Sequence, residues 1–204
     1  MEENNTPELL ICSLYSGSSG NCTYIASRQT KILIDAGKSA RSLCLALKDI
    51  GSHISEIDAI FITHEHTDHV SALETLSKQY HIPIHAVNRC ADRISSRGRA
   101  TSSCVVSHPP LFTVELAGIT VSSFLTSHDS LCPVGYKIIS AGGDSCGVAT
   151  DTGIVTNSTA EALKGCRSVV IECNHDRMML ATGSYPPQLK ERISSAIGHL
   201  SNDD

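Results

Sequence analysis

The sequence predicts an α+β fold in which two β-sheets pack face to face with helices on the outside, as one domain over residues 1–204. Short runs rich in β-formers lead each half of the chain, and helical patterns fall between several of them. No repeat, low-complexity linker or break in composition divides the sequence. A chain of 204 residues with 41% apolar content is long enough for one sizeable core.

In chain order, "LLICSLY" (9–15), "CTYIAS" (22–27) and "KILIDA" (31–36) read as strands separated by turn chemistry. Ser39 can cap a helix running to Asp49, with Leu43, Leu47 and Ile50 on one face and Gly51 as its stop. "DAIFIT" (58–63) reads as a buried strand, followed by a helix over 70–79 and the short strand "IPIHAV". From 111 the pattern turns β-rich through "LFTVEL", "ITVSSFLT", "VGYKIIS" and "SCGVAT", with Gly118 and "AGGD" as turns. A helix near 158–164, the strand "SVVIEC" (168–173) and a helix after Pro187 complete the pattern.

Composition narrows the function classes. Net charge is −5 with a pI near 6.0, so no global positive field advertises nucleic acid, although a local patch can still serve a phosphate backbone. Nine cysteines stand singly without a CxxC pair, which argues against a zinc ribbon. The start "MEENNTPELLICS" is polar and acidic and lacks a signal core, and no stretch approaches the roughly 18 apolar residues of a membrane span. Most of the cysteines therefore read as small reduced core residues of a cytoplasmic protein.

The chemistry concentrates in "FITHEHTDH" (61–69). One histidine is commonly a satisfied core or surface residue, but His64, His66, Asp68 and His69 at a strand exit fit that account poorly. His64-x-His66 can bring two imidazoles to one ion, and Asp68-His69 can serve a second. His128 after "FLTS", Asp151 after "GVAT" and His199 in "IGHLS" recur in the same context. Together they make seven donors, enough for two metals sharing a carboxylate and a water.

The pattern T-H-x-H-x-D-H, a single later His, "ATDTG" and "GHLS" resembles the metallo-β-lactamase fold superfamily over nearly the whole chain. "SGSSGN" (16–21), "DAGKSAR" (35–41) and "ECNHD" (172–176) resemble its YycJ/WalJ-like branch, relatives of ribonuclease Z described as 5′→3′ exonucleases acting on DNA. The resemblance implies a four-layer αββα sandwich with a dinuclear site at the sheet edge. By carry-over, His64, His66 and His128 hold the first metal, Asp68, His69 and His199 the second, and Asp151 bridges them. Flavodiiron-type members have Glu where this chain has His66. Only 48 positions separate Asp151 from His199, too few for a β-CASP insertion, and no ribonuclease Z arm is evident.

A metal-dependent phosphodiesterase follows from this resemblance, with zinc or manganese as the ions and a bridging hydroxide as nucleophile. Asp68 is placed to orient that nucleophile or accept its proton, and His175, outside the seven donors, is the candidate for the leaving oxygen. "SGSSGN" reads first as a tight turn, whose backbone N–H groups can also face an anion, so Ser18, Ser19 and Asn21 are candidate phosphate contacts. Arg89, Arg93 and Arg97 fall at i, i+4, i+8. With Asn88 as cap and Gly98 as stop they would form one cationic helix face, either solvated or set against a nucleic-acid backbone. The resembled family continues beyond the equivalent of "HLSNDD", so the chain is either naturally short or lacks a C-terminal part. Two other readings stay open: a thioesterase of the glyoxalase II kind or a lactonase on the same fold, and a truncated, inactive metal-binding protein.

Overall fold

The computed structural model describes residues 8–204, so the first seven residues of the polar start lie outside it. Sheet A is six-stranded. Its order follows the chain: β1 (Leu10–Tyr15), β2 (Cys22–Ala26), β3 (Lys31–Ile34), β4 (Ala59–Phe61), β5 (Ile84–Val87) and β6 (Val105–His108). Strands β1 to β3 pair antiparallel, and β3 to β6 run parallel. Sheet B comprises β7 (Thr113–Leu116), β8 (Ile119–Leu125), β9 (Val134–Ser140), β10 (Ser145–Ala149) and β11 (Ser168–Ile171), in the order β11-β10-β9-β8-β7. All its pairs are antiparallel except β10 with β11.

The period-2 alternation of side chains builds the layers. Leu33, Ile60, Ile62 and Ile84 point to one core, where they meet Leu43 and Leu47 of α1 (Ala40–Asp49), Leu73 and Leu76 of α3 (Leu73–Tyr80), and Ile94 of α4 (Asn88–Ser95). Their neighbours Ile32, Ile34, Ala59 and Phe61 point the other way, against Val121, Val134, Tyr136, Ile138 and Val148 of sheet B. On sheet B's outer face, α6 (Asn157–Leu163) lies so close that a Cβ on Gly147 would come within 2.2 Å of Leu163. The result is the αββα sandwich. Each fully buried Leu, Ile or Phe contributes about 1.5–3 kcal/mol, so the inter-sheet core alone outweighs any single polar contact.

Most elements form where the sequence places them. Ser39 accepts from Ser42 N and caps α1, a contact of about 1 kcal/mol. The helix expected over 70–79 is two pieces, α2 (Thr67–Val70) and α3. Ala36 N donates to His69 O and Ala72 N to Ala36 O, so these backbone groups tie the chain to the exit of β3. Two helices and a strand were not read from the pattern: α5 (Arg99–Cys104), β6, and α7 (Arg177–Thr182). The final helix, α8 (Pro187–Ile193), starts at the expected proline. All nine cysteines are free, but only Cys22, Cys90, Cys104 and Cys146 are fully buried. Cys12, Cys44 and Cys132 are half-buried and pack against the two cores, so most of the cysteines are core residues as expected; Cys166 is half-buried and Cys173 exposed.

The arginine stripe is also corrected. Helix α4 ends at Ser95, and its N-cap is Val87 with no side-chain bond, while the Asn88 amide accepts from Ser107. Arg97 N bonds Ile94 O in a tightened last turn, and Gly98 then opens α5. Arg89 and Arg93 share the helix; Arg97 lies beyond it.

A second polar feature sits inside the sandwich. His85 Nδ1 and His108 Nε2 are 2.8 Å apart, and the rings stack between Phe61 and Phe112. One nitrogen donates and the other accepts, and burial disfavours a positive charge on either ring. Burial, then the charge of His108, pulls His85 down to about 4. A depressed histidine contributes stability that is complete above its unfolded value of about 6.5 and is lost as pH falls toward the folded value. Denaturant unfolding at pH 7 and pH 5 should therefore show a loss of stability on acidification, and His85→Gln should make that loss smaller.

Candidate metal centre

The centre starts from a buried carboxylate. The chain leaves β3 at Asp35 in a left-handed conformation (φ 65°), which aspartate tolerates better than most residues. Asp35 is 2% exposed and accepts from Thr63 N at 2.9 Å, Thr63 Oγ1 at 2.8 Å and His69 Nδ1 at 2.8 Å. These three donors lock the segment after β4 onto the end of β3. Gly37 completes the joint, because a Cβ there would lie 1.5 Å from Asp68 O. Asn21 adds bonds from its backbone N to Asp68 O at 2.8 Å and from its amide to His69 Nε2 at 3.0 Å.

The outer nitrogens set the tautomers. Thr63 Oγ1 spends its proton on Asp35, so His64 Nδ1, 3.0 Å away, donates to it. His69 Nδ1 donates to Asp35, and His128 Nδ1 donates to Gly198 O at 3.0 Å. With Nδ1 so engaged, each of the three rings in its neutral form carries its lone pair on Nε2, the arrangement that presents a basic nitrogen to a metal. His64 Nε2 is buried and has no hydrogen-bond partner among the described residues. A buried polar atom without a partner costs roughly 1–3 kcal/mol, and a cation at that point removes the deficit.

Donor atoms converge in three overlapping groups, each within 4.8 Å: His64, His66 and His128; His64, His69 and Asp151; and His128, Asp151 and His199. Asp151, itself left-handed at φ 51° after β10, belongs to two of them. Its oxygens lie 2.7 Å from His69 Nε2 and 3.2 Å from His199 Nδ1. Asp68 stands at the margin, with Oδ2 3.7 Å from His69 Nε2. The donor set of imidazoles and carboxylates suits divalent metal ions.

Charge is finely balanced among the side chains of the site. Burial works against protonated His69, but Asp35 and Asp151 overcome it and hold the ring up at about 10. His199 is likewise up at about 9, where burial is outweighed by Asp151 and Glu172. Burial would raise Asp151, yet hydrogen bonds from His199 and His69 hold it far below the carboxylate range. His64 goes the other way, pushed well down by burial and by the charge on His69. A cation held here would have to displace protons from His69 and His199.

The donors face a cavity of about 510 Å³ lined also by Ser16, Ser18, Asn21, Glu172 and Arg192. Of the loop residues read as phosphate contacts, Ser18 lines the cavity and Asn21 braces the site, while Ser19 accepts from Lys38 at 2.7 Å. The loop is also the expected turn, with Gly20 N bonded to Gly17 O. None of Arg89, Arg93 and Arg97 lines the cavity. His175 lines a different one, which meets the first only at His199. Its carbonyl accepts from Asn202 N and its backbone bridges to Ser201, so the loop after β11 is pinned to the chain end. That placement lends no support to His175 as the group meeting the leaving oxygen. Nor does His175 pair with Asp176, whose carboxylate caps α7.

Three site residues escaped the sequence reading. Asp35 and Thr63 hold His69 and His64, and Glu172 holds His199 at 2.6 Å while accepting from Thr152 N at 2.9 Å. The available signal was an acid closing each of two apolar runs, "KILID" and "VVIE".

Comparison with known proteins agrees with this geometry. Residues 30–204 match the family described as the beta-lactamase superfamily domain, and the chain belongs to that family. It is 35% identical over 194 residues to exodeoxyribonuclease WalJ of Streptococcus pneumoniae serotype 2, covering 94% of this chain and 72% of that protein. Exodeoxyribonuclease YycJ of Bacillus anthracis is 32% identical over 195 residues, with the same coverage. Among solved structures, the metallo-beta-lactamase fold protein YhfI from Bacillus subtilis superposes with a TM-score of 0.70 at 15% identity, over 96% of this chain and 78% of that one.

Asp35→Asn keeps the shape but removes the charge that orients His69. Loss of such an outer partner typically lowers metal affinity by about 10–100-fold, and chelator competition should report a loss in that range. His175→Ala should leave metal content unchanged in elemental analysis. Turnover should fall by much less than the roughly 10²–10⁴-fold that a lost general acid removes.

Proposed function

We propose that this protein is a metal-dependent phosphodiesterase that degrades DNA from the 5′ end. The observation that carries the reading is the convergence of three interlocking His/Asp groups, two of which contain His64, whose buried Nε2 has no hydrogen-bond partner among the described residues. The likeness to two proteins named as exodeoxyribonucleases over 94% of the chain supports the substrate class. In this reading His64, His66 and His128 hold one ion, Asp68, His69 and His199 hold the other, and Asp151 is shared. Zinc is preferred to manganese because four or more imidazoles favour the softer ion. When bound, such a pair acidifies water and neutralises a phosphoryl group.

The chain's own residues do the positioning. Asp35 and Thr63 fix the rings of His69 and His64, and Glu172 fixes His199, so the donors need little reorganisation when a substrate arrives. Asp68, on the cavity wall and only loosely bonded to Asn21 at 3.4 Å, orients the attacking water or accepts its proton. Arg89 and Arg93, exposed on α4, contact DNA phosphates outside the cavity. Among the described residues no helix is long and apolar enough to cross a membrane, and free cysteines suit the reducing cytoplasm where we place the protein.

The test compares metal-dependent degradation of 5′-labelled duplex DNA with hydrolysis of a generic thioester and a lactone. Purified protein should carry close to two divalent metals, degrade the DNA and spare the other two. Asp151→Ala should lose the shared ligand and most of the activity. Faster thioester or lactone turnover would move the protein to a different hydrolase class, and one metal or none would remove the dinuclear reading.

A further inference from the structure

An anionic substrate entering the cavity meets an unfavourable field from the protein itself. Asp35, Asp68, Asp151 and Glu172 all line it. Among the described lining residues, Arg192 is the only lysine or arginine. It projects from the last turn of α8, and its guanidinium is half-exposed. Nε lies 2.6 Å from Asp129 Oδ2 and Nη2 lies 3.0 Å from Asp129 Oδ1, a two-point fork. Asp129 follows the candidate ligand His128, with Oδ1 3.4 Å from His128 Nε2.

Both partners are held from behind. The loop carrying Asp129 is fixed by Ser127 N to Thr152 Oγ1 at 3.2 Å, Ser127 Oγ to Ala196 O at 2.8 Å, and His128 Nδ1 to Gly198 O. At the end of α8, His199 N donates to Ile193 O at 2.8 Å, and a Cβ on Gly198 would lie 2.1 Å from Arg192 O. The Arg192 backbone is thus packed against the segment that carries His199. A planar guanidinium fork matches a carboxylate and a phosphate equally well, so the group now engaging Asp129 can engage a phosphate oxygen pair instead.

We infer that Arg192 is the phosphate-binding residue of this cavity and that Asp129 holds its fork in place until a phosphate ester displaces the carboxylate. The inference deepens the phosphodiesterase reading and rests on it. A half-exposed ion pair contributes little to stability, so exchanging one anion for another sacrifices little. Opposite the candidate ions, the arginine would take the phosphoryl oxygens that they leave free, and it would favour phosphate esters over neutral thioesters or lactones.

The experiment measures thymidine 5′-monophosphate binding to the metal-loaded protein by calorimetry, alongside hydrolysis of bis(p-nitrophenyl) phosphate. Arg192→Gln should keep metal content and weaken nucleotide binding by about 10–100-fold, the loss expected for a charged hydrogen-bonding group. Arg192→Lys keeps the charge without the fork and should fall between, and it carries the comparison alone if the glutamine variant fails to fold. Asp129→Asn releases the fork and should bind the nucleotide as well as wild type or up to about tenfold more tightly. A structural tie predicts the opposite: both Arg192→Gln and Asp129→Asn lower the melting temperature while nucleotide affinity stays within twofold, which overturns the inference. Metal loss in Asp129→Asn would make Asp129 a ligand and overturns it too, as does wild-type protein that binds no phosphate ester. Wild type that ignores DNA but binds the nucleotide through Arg192 removes the DNA reading and leaves this one standing.

Discussion

Everything in the centre depends on one buried carboxylate with three donors. Left alone, a negative charge at 2% exposure would be expelled or protonated. Asp35 avoids both because Thr63 supplies two hydrogen bonds and His69 supplies a third. The same bonds determine where the strand exits lie relative to one another and which nitrogen each ring offers. Fold and site are therefore not separable here: the contact that joins β3 to the segment after β4 is the contact that makes His69 a donor. The left-handed turns at Asp35 and Asp151 belong to the same economy, since backbone strain of about 1–2 kcal/mol is retained where a side chain must point inward from a strand end.

The inner strands β2 to β5 of sheet A were legible because they are almost wholly buried and read as largely apolar runs, whereas the half-exposed edge strand β6 was not. The four candidate donors within 61–69 were legible because their spacing has no competing structural explanation, and His128, Asp151 and His199 because they recur in matching contexts later in the chain. What sequence did not reveal shares a physical character. Segment 99–108, "RATSSCVVSH", is rich in Ser, Thr and Val, with weak helix propensity, and takes its form from packing against neighbours. The break between α2 and α3 comes from backbone bonds to Ala36, which no local pattern encodes. The arginine stripe had the right period but the wrong ending, for a tightened turn at Ser96 and Arg97 stopped the helix first.

Long-range pairs were the least legible. Glu172 and His199 are 27 residues apart, Asp129 and Arg192 are 63 apart, and nothing in either neighbourhood names its partner. Both pairs join separate segments of the second half of the chain. They behave as outer supports whose identity depends on which donors stand inside them, so they become readable only after the inner shell has been assembled in three dimensions.

The grouping of donors has a consequence for the order in which the molecule is made. His64, His66, Asp68 and His69 all follow β4 in sheet A and emerge early during synthesis. Yet each convergent group contains His128, Asp151 or both, contributed from the far sheet. The two groups built on His64 do not close until β8 or β10 has come to rest against β4. An ion held by either would span two halves of the polypeptide that the ribosome delivers at different times. It would act as a rivet driven last, unable to fasten a half-built protein.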